Sequence, residues 1–112
     1  MKIAIPTSNE KNICEYIPFC KHFLIIDTDT NIRKLIENPM FEIVKKEKIK
    51  KKECGENGLH TGEIIPKYLK SFGIEMLIAK SLGEGILDNL EIFEINYKIT
   101  DSDKIEDILL GF

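Results

Sequence analysis

Cysteine and histidine are the residues in this chain best suited to bind a soft metal. Cys14, Cys20 and His22 fall in one polar stretch, and Cys54 and His60 fall in a glycine-rich stretch further along. Thiolates select zinc, copper(I) and iron–sulfur centres, and imidazole can complete such sets. The spacings Cys14-x5-Cys20-x-His22 and Cys54-x5-His60 match no standard closed zinc site. Cys14 and Cys20 could equally be small buried apolar side chains, so for these two residues both interpretations, metal ligand and core residue, stay open.

Other chemistries find less support in the sequence. A nucleophilic Cys54–His60 pair has no third group clearly placed to orient the histidine. A two-metal nuclease needs carboxylates near the centre of a sheet, and the first apolar run, Lys2–Pro6, has none. No glycine fingerprint for nucleotide phosphates occurs, because Gly83-x-Gly85 is too short.

Length and composition favour one ordinary domain spanning residues 1–112. The chain is 43% apolar with a formal charge of −3, which favours neither nucleic acid nor membrane as a partner. No apolar run approaches the ~20 residues that span a bilayer. The first residues enter a strand pattern without a signal-peptide core. We therefore expect a cytoplasmic protein with its three cysteines reduced.

Hydrophobic periodicity predicts the order β-β-β-α-β-α-β-α. Alternating or continuous apolar runs indicate strands at 2–5, 23–26, 32–37, 74–79 and 93–99. Helical patterns begin near Gly62, at Ser81 and after Asp103, and Gly73 is a natural residue to end the first helix. Three strands in a meander followed by helical crossovers predict one mixed sheet with helices on its faces.

This connectivity predicts where the polar loops meet. With strand one running upward, the loops at 7–22, 38–61 and 80–85 all lie at its upper end. The cysteines and histidines would then gather at the carboxyl-end rim of strands one, three and four. Ligands bind at that edge in open α/β sheets.

Two further groups could act on an anion at the same rim. Ser81-Leu-Gly-Glu84 has capping-box spacing, and the helix it would start directs free N–H groups toward the rim near Ser81 and Gly83. Lys50, Lys51 and Lys52 belong to a run of cations at 45–52. Two interpretations of that run stay open: a cationic lid over an anionic ligand, or a solvated loop.

The chain resembles the dinitrogenase iron–molybdenum cofactor biosynthesis family, in its NifX and NifB C-terminal type. Segments carrying the resemblance run along nearly the whole chain: Lys2-Ile-Ala-Ile-Pro6, Phe23-Leu-Ile-Ile-Asp-Thr-Asp-Thr30, Ile36-Glu-Asn-Pro39, His60-Thr-Gly62, Gly73-Ile-Glu-Met-Leu-Ile-Ala79 and Leu82-Gly83. The resemblance implies a ribonuclease H-like three-layer α/β fold with sheet order 3-2-1-4-5 and strand two antiparallel. It also implies binding of iron–sulfur or molybdenum–iron clusters rather than catalysis. Members often carry a His-Phe-Gly element before strand two, and here Tyr16 takes the histidine position.

These observations lead to two hypotheses. The first is a cluster carrier with Cys54 and His60 as principal ligands and Cys14 and Cys20 as additional ones. Its partner would be a protein that donates or accepts the cluster. The second is a metal-free interaction or regulatory module, which would use the lysines at 45–52 or the strand at 92–99.

Overall fold

The computed structural model describes residues 1–41 and 61–111. Its strands are β1 (Lys2–Thr7), β2 (His22–Asp27), β3 (Ile32–Glu37), β4 (Met76–Ala79) and β5 (Asn96–Ile99). Its helices are α1 (Thr61–Ser71), α2 (Glu84–Ile92) and α3 (Ile105–Leu109), with a short 3-10 turn at Ile17–Phe19.

The five strands form one mixed sheet in the order β3-β2-β1-β4-β5. β2 is antiparallel to both β1 and β3, whereas β4 runs parallel to β1 and β5 runs parallel to β4. The predicted sheet order and the antiparallel second strand are therefore confirmed.

Alternate residues of the central strands pack into two apolar layers, one on each face of the sheet. On one face, Ala4, Phe23 and Leu77 pack with residues of α1 and α2. On the other face, Ile5 and Ile78 pack with apolar side chains of α3 and of the loop after β1. The continuous apolar run of β2 is thus covered on both sides, as a buried strand requires. This arrangement confirms the predicted three layers.

Several predicted boundaries shift by two or three residues. β4 begins at Met76 rather than at residue 74. β5 begins at Asn96 rather than at residue 93, because Phe93 still caps α2 and Glu94 turns the chain. The alternating pattern at 93–99 therefore overstated the strand, since its first apolar residues belong to the end of a helix.

α1 and α2 end in the same way. After α1, Gly73 has a φ of 75°, and the N–H of Ile74 donates to the Leu69 carbonyl at 3.3 Å. After α2, Glu94 has a φ of 59°, and the N–H of Ile95 donates to the Leu90 carbonyl at 2.8 Å. Both turns are Schellman motifs, with a left-handed residue after the last helical turn. Glycine adopts that conformation without cost, whereas glutamate does not.

This pair of turns predicts two opposite stability changes. Gly73→Ala will lower the free energy of unfolding by about 1 kcal/mol, because a Cβ disfavours positive φ. Glu94→Gly will raise it by up to about 1 kcal/mol, because the same penalty is removed. Urea denaturation of the two variants measures both changes. Two shifts of the same sign would contradict this account.

Candidate functional site

One rim of the sheet collects the loops that follow β1, β3, β4 and β5. Thr7 at the end of β1 pairs with His22 at the start of β2, and His22 pairs with Glu37 at the end of β3. On the other side of β1, β4 and β5 end together, where Ala79 pairs with Ile99. The loops at 8–21, 80–83 and 100–104 therefore leave the sheet from the same end. For the described segments, the predicted convergence of loops is confirmed.

Cys14 and Cys20 are joined by a disulfide, with their Cα atoms 5.8 Å apart. The 3-10 turn at Ile17–Phe19 reverses the chain between them and brings the two sulfurs together. The rings of Tyr16 and Phe19 stack at a centroid distance of 5.4 Å inside the same loop. The expectation that all three cysteines are reduced is thus wrong for this pair. A bonded sulfur offers no thiolate to a metal, so Cys14 and Cys20 can serve as ligands only after reduction.

Asn38 holds this loop to the chain after β3. Its side chain is 1% exposed, and its Nδ2 donates to the carbonyls of Ile17 (2.7 Å) and Cys20 (2.8 Å). Its Oδ1 accepts the N–H of Met40 at 3.0 Å. All three bonds lie in the interior, where an unmade hydrogen bond is expensive. The sequence pattern predicted only that a strand ends at Asn38-Pro39, and it did not predict these buried hydrogen bonds. An asparagine before a proline is nevertheless a known turn signal.

Thr7 organises the start of the loop at 8–21. Its side chain is fully buried, and its Oγ1 donates to the Asn12 carbonyl at 2.7 Å. The same oxygen accepts the N–H of Glu10 at 3.0 Å and that of Asn9 at 3.3 Å. The first turn of the loop is therefore held by one hydroxyl group, independently of the disulfide.

The first turns of α1 and α2 meet at the rim. A Cβ placed on Gly62 would lie 2.6 Å from the carbonyl carbon of Gly85, so the two backbones are in direct contact. Gly83 is the N-cap of α2 and has no side chain to accept a hydrogen bond from the first amides. The predicted cap at Ser81 is wrong, because the helix starts at Glu84. The prediction that α2 directs its amino end toward the rim is confirmed.

Lys80, at the end of β4, forms an ion pair with Asp103, in the loop before α3. The hydrogen bond from Lys80 holds the pKa of the Asp103 carboxyl below its usual value. The same bond raises the pKa of Lys80, and the charges of Asp103, Glu15 and Asp101 add to the effect. Lys80 therefore faces three carboxylates and supplies no free positive charge to this part of the rim.

The ion pair predicts a pH-dependent effect of Asp103→Asn. Because the pKa of Asp103 is lower when the chain is folded, its contribution to stability is present at neutral pH. That contribution is lost as the pH falls below 3.8, the value of a free aspartate, and toward its folded value. The variant will be less stable than the parent at pH 7, and the difference will shrink in acid. Thermal unfolding of the parent and the variant at several pH values from acid to neutral measures this difference in stability. A difference that does not depend on pH would contradict the contribution of the Lys80–Asp103 ion pair.

Several predicted site residues lie outside the described residues: Lys50, Lys51, Lys52, Cys54 and His60. His60 directly precedes Thr61, the first residue of α1. Within residues 1–41 and 61–111, no group of three or more histidine, cysteine or acidic side chains is arranged to hold a metal ion. Ser81 and Gly83 are exposed at the rim.

A groove of about 350 Å³ lies away from the rim, between α2 and β5. Its lining combines aliphatic, aromatic and acidic side chains: Leu87, Asp88, Glu91, Ile95, Asn96 and Tyr97. Asn96 pairs with Met76 at the start of β4, which puts the groove near the opposite end of the sheet. This groove and the rim are therefore separate features.

The sheet order, the crossovers and the helices on both faces define a ribonuclease H-like α/β protein. A sequence model described as dinitrogenase iron–molybdenum cofactor matches residues 1–112. The chain belongs to this family, which is associated with the biosynthesis of that cofactor.

Three solved structures share the fold. The crystal structure of PH0822 superposes with a TM-score of 0.71 at 17% identity, covering 100% of this chain and 89% of its own. The solution structure of a putative NifB protein from Thermotoga has a TM-score of 0.72 at 19% identity, with 99% and 85% covered. The apo form of the orange protein from Desulfovibrio gigas has a TM-score of 0.76 at 12% identity, with the same coverage. These identities establish likeness of fold alone.

A search of curated proteins found no match. In the part of the chain that the structure describes, no helix has both the length and the apolar character needed to cross a membrane.

Proposed function

We propose that this protein binds and carries an iron–sulfur or iron–molybdenum cluster at the rim and performs no catalysis. The observation that carries the proposal is the meeting of two helix amino ends, at Gly62 and Gly85, on the rim that also holds the Cys14–Cys20 loop. Amide N–H groups and the helix dipole favour an anion there, and many metal–sulfur clusters are anionic. Membership of the family supports the same cargo.

Cys54 and His60 are the proposed principal ligands. Thiolate and imidazole are both ligands of iron–sulfur centres. His60 directly precedes Thr61, the first residue of α1, in the sequence. Cys14 and Cys20 are the proposed additional ligands once their disulfide is reduced, and Cys14 is the more accessible of the two.

The remaining proposed residues offset the charge of the cluster. The amides near Ser81 and Gly83, together with those of the first turn of α2, would donate to cluster sulfur atoms. Lys50, Lys51 and Lys52 would supply positive charge. Glu84 lies in that first turn and opposes an anion, as do the carboxylates around Lys80, so the donors must outweigh several negative charges.

The setting proposed for this function is cytoplasmic, with residues 1–112 acting as one domain. A carrier must exchange its cargo, so its partner would be a protein that donates or accepts the cluster. Neither nucleic acid nor a membrane has a role in the proposal.

Anaerobic reconstitution with iron and sulfide tests the proposal. We expect the parent, reduced beforehand, to gain the visible absorbance of a metal–sulfur cluster. Cys54→Ser combined with His60→Ala will lose most of it. His22→Ala is the matched control, because His22 lies at the start of β2 on the same rim and is not a proposed ligand. Featureless spectra for both parent and double variant would refute carriage.

One observation favours a second candidate, a metal-free interaction module. All four residues of β5 are exposed at the edge of the sheet, and Tyr97 and Ile99 are 50% and 49% exposed. An edge strand with apolar side chains is a common site for another chain to pair. Binding of a protein partner that survives replacement of all three cysteines by serine, but not Tyr97→Asp, would favour this module over the carrier.

A further inference from the structure

The Cys14–Cys20 disulfide closes a short loop at the rim, and its two sulfurs differ in accessibility. Cys20 is fully buried, whereas Cys14 is only partly buried. A thiolate from solution therefore reaches the Sγ of Cys14 first. Accessible disulfides that exchange readily are those that regulate or catalyse, whereas inert structural ones are protected.

The surroundings suit the reduced pair as well as the bonded one. The carbonyl oxygen of Tyr16 lies 3.1 Å from the Sγ of Cys20 and 3.9 Å from the Sγ of Cys14. After reduction, that carbonyl is an acceptor for the S–H of Cys20 without any movement of the backbone. A buried thiol at this position therefore has its hydrogen-bond partner in place.

The loop is also held by bonds that reduction leaves intact. Asn38 donates to the carbonyls of Ile17 and Cys20, and the N–H of Cys14 donates to the Pro6 carbonyl at 2.8 Å. The N–H of Ile13 donates to the Asp103 carbonyl at 2.9 Å. Since these bonds fix both ends of the loop, breaking the disulfide frees the partly buried thiol of Cys14 at the rim without releasing the loop.

We propose that Cys14–Cys20 is a reversible redox site, reduced by a dithiol, that controls whether the rim presents the Cys14 thiolate to a soft metal. The link to cluster uptake rests on the proposed function, whereas the redox chemistry and the metal binding of the pair do not.

The exchange proceeds in two balanced steps. The reductant's first thiolate bonds to the Sγ of Cys14, the Sγ–Sγ bond breaks, and the electron pair leaves on Cys20, which takes up a proton. The reductant's second thiolate then attacks the reductant's first sulfur, the bond from that sulfur to the Sγ of Cys14 breaks, and Cys14 leaves as a thiolate that takes up the second proton. The reductant leaves as a disulfide, and the protein has gained two electrons and two protons.

Alkylation with iodoacetamide, with and without prior dithiothreitol, tests the redox site on the folded protein. Before reduction, peptide mapping will find Cys14 and Cys20 protected from alkylation. After reduction, Cys14 will be alkylated, whereas the buried Cys20 will stay largely unmodified as long as the protein is folded. Hydrogen exchange at the amides of Ile13, Cys14 and Cys20 will remain slow after reduction, because their backbone hydrogen bonds are retained. Alkylation of Cys14 without reductant, a disulfide that dithiothreitol fails to open in the folded protein, or rapid hydrogen exchange at these amides after reduction would each overturn the proposal.

Cadmium(II) is a soft cation that does not reduce disulfides. Added after dithiothreitol has been removed anaerobically, it tests whether reduction of the disulfide controls metal binding. The reduced parent will show at least twofold more cadmium–thiolate absorbance than the oxidised parent. In the Cys14→Ser/Cys20→Ser variant the absorbance will be low and will not depend on the redox treatment. Equal absorbance in both forms of the parent would show that reduction of the disulfide does not control metal binding, and would overturn that part of the proposal. If this result holds while iron and sulfide give no cluster, the carrier function fails and the redox site stands.

Discussion

Replacing Asn38 by alanine will lower the free energy of unfolding by about 3–5 kcal/mol. The substitution leaves the carbonyls of Ile17 and Cys20 and the N–H of Met40 without their side-chain partner in the interior. Each such group costs about 1–3 kcal/mol, and native proteins are stable by only ~5–15 kcal/mol. Urea denaturation measures the loss.

Asn9→Ala is the matched control for this experiment. The Oδ1 of Asn9 accepts the N–H groups of Lys11 (2.9 Å) and Asn12 (2.8 Å), but the residue is exposed. Water replaces the lost acceptor there, so the cost will stay near 1 kcal/mol or below. Equal losses in the two variants would show that burial of Asn38 is not what makes it important.

Gly62→Ala will destabilise the protein by about 1–3 kcal/mol, the range for inserting a methyl group into a filled contact. The new Cβ would lie 2.6 Å from the carbonyl carbon of Gly85, and neither backbone can yield without moving a helix. Alanine is otherwise the better helix former by about 1 kcal/mol, so an uncrowded site would show the opposite sign. Thermal and urea unfolding decide between the two signs.

Gly83→Ala is the control at the amino end of α2. A Cβ on Gly83 meets no atom within 4 Å, and its φ of −76° suits any residue. Loss of a preferred N-cap residue will cost less than about 1 kcal/mol. A stabilised Gly62→Ala protein would mean that the helix ends are not in contact at Gly85.

The order of strands and helices along the chain and the two-sided burial of β2 could be predicted from local sequence patterns. The order of the strands within the sheet, by contrast, was implied only by the family resemblance. The continuous apolar run at 23–26 and the more polar run at 32–37 belong to a central and an edge strand. Gly73 ends α1 as its sequence position predicted. These predictions succeeded because each depends on the chemistry of a few neighbouring residues.

The cap of α2 shows where local reasoning failed. Ser81 and Glu84 have the spacing of a capping box, yet the helix starts at Glu84 with Gly83 as its N-cap. The first turn of α2 packs on Gly62 of α1, a contact between residues more than twenty positions apart. Such a contact leaves no trace in the four residues of the motif.

By itself, the sequence determined which residues can do chemistry and, through the connectivity of the strands, the edge where their loops gather. The tertiary structure decided that Cys14 and Cys20 are paired and that Asn38 is buried. It also decided that two helix amino ends touch at the rim. The physical reason is that a side chain's propensity is local, whereas burial and pairing depend on segments that meet only when the sheet forms.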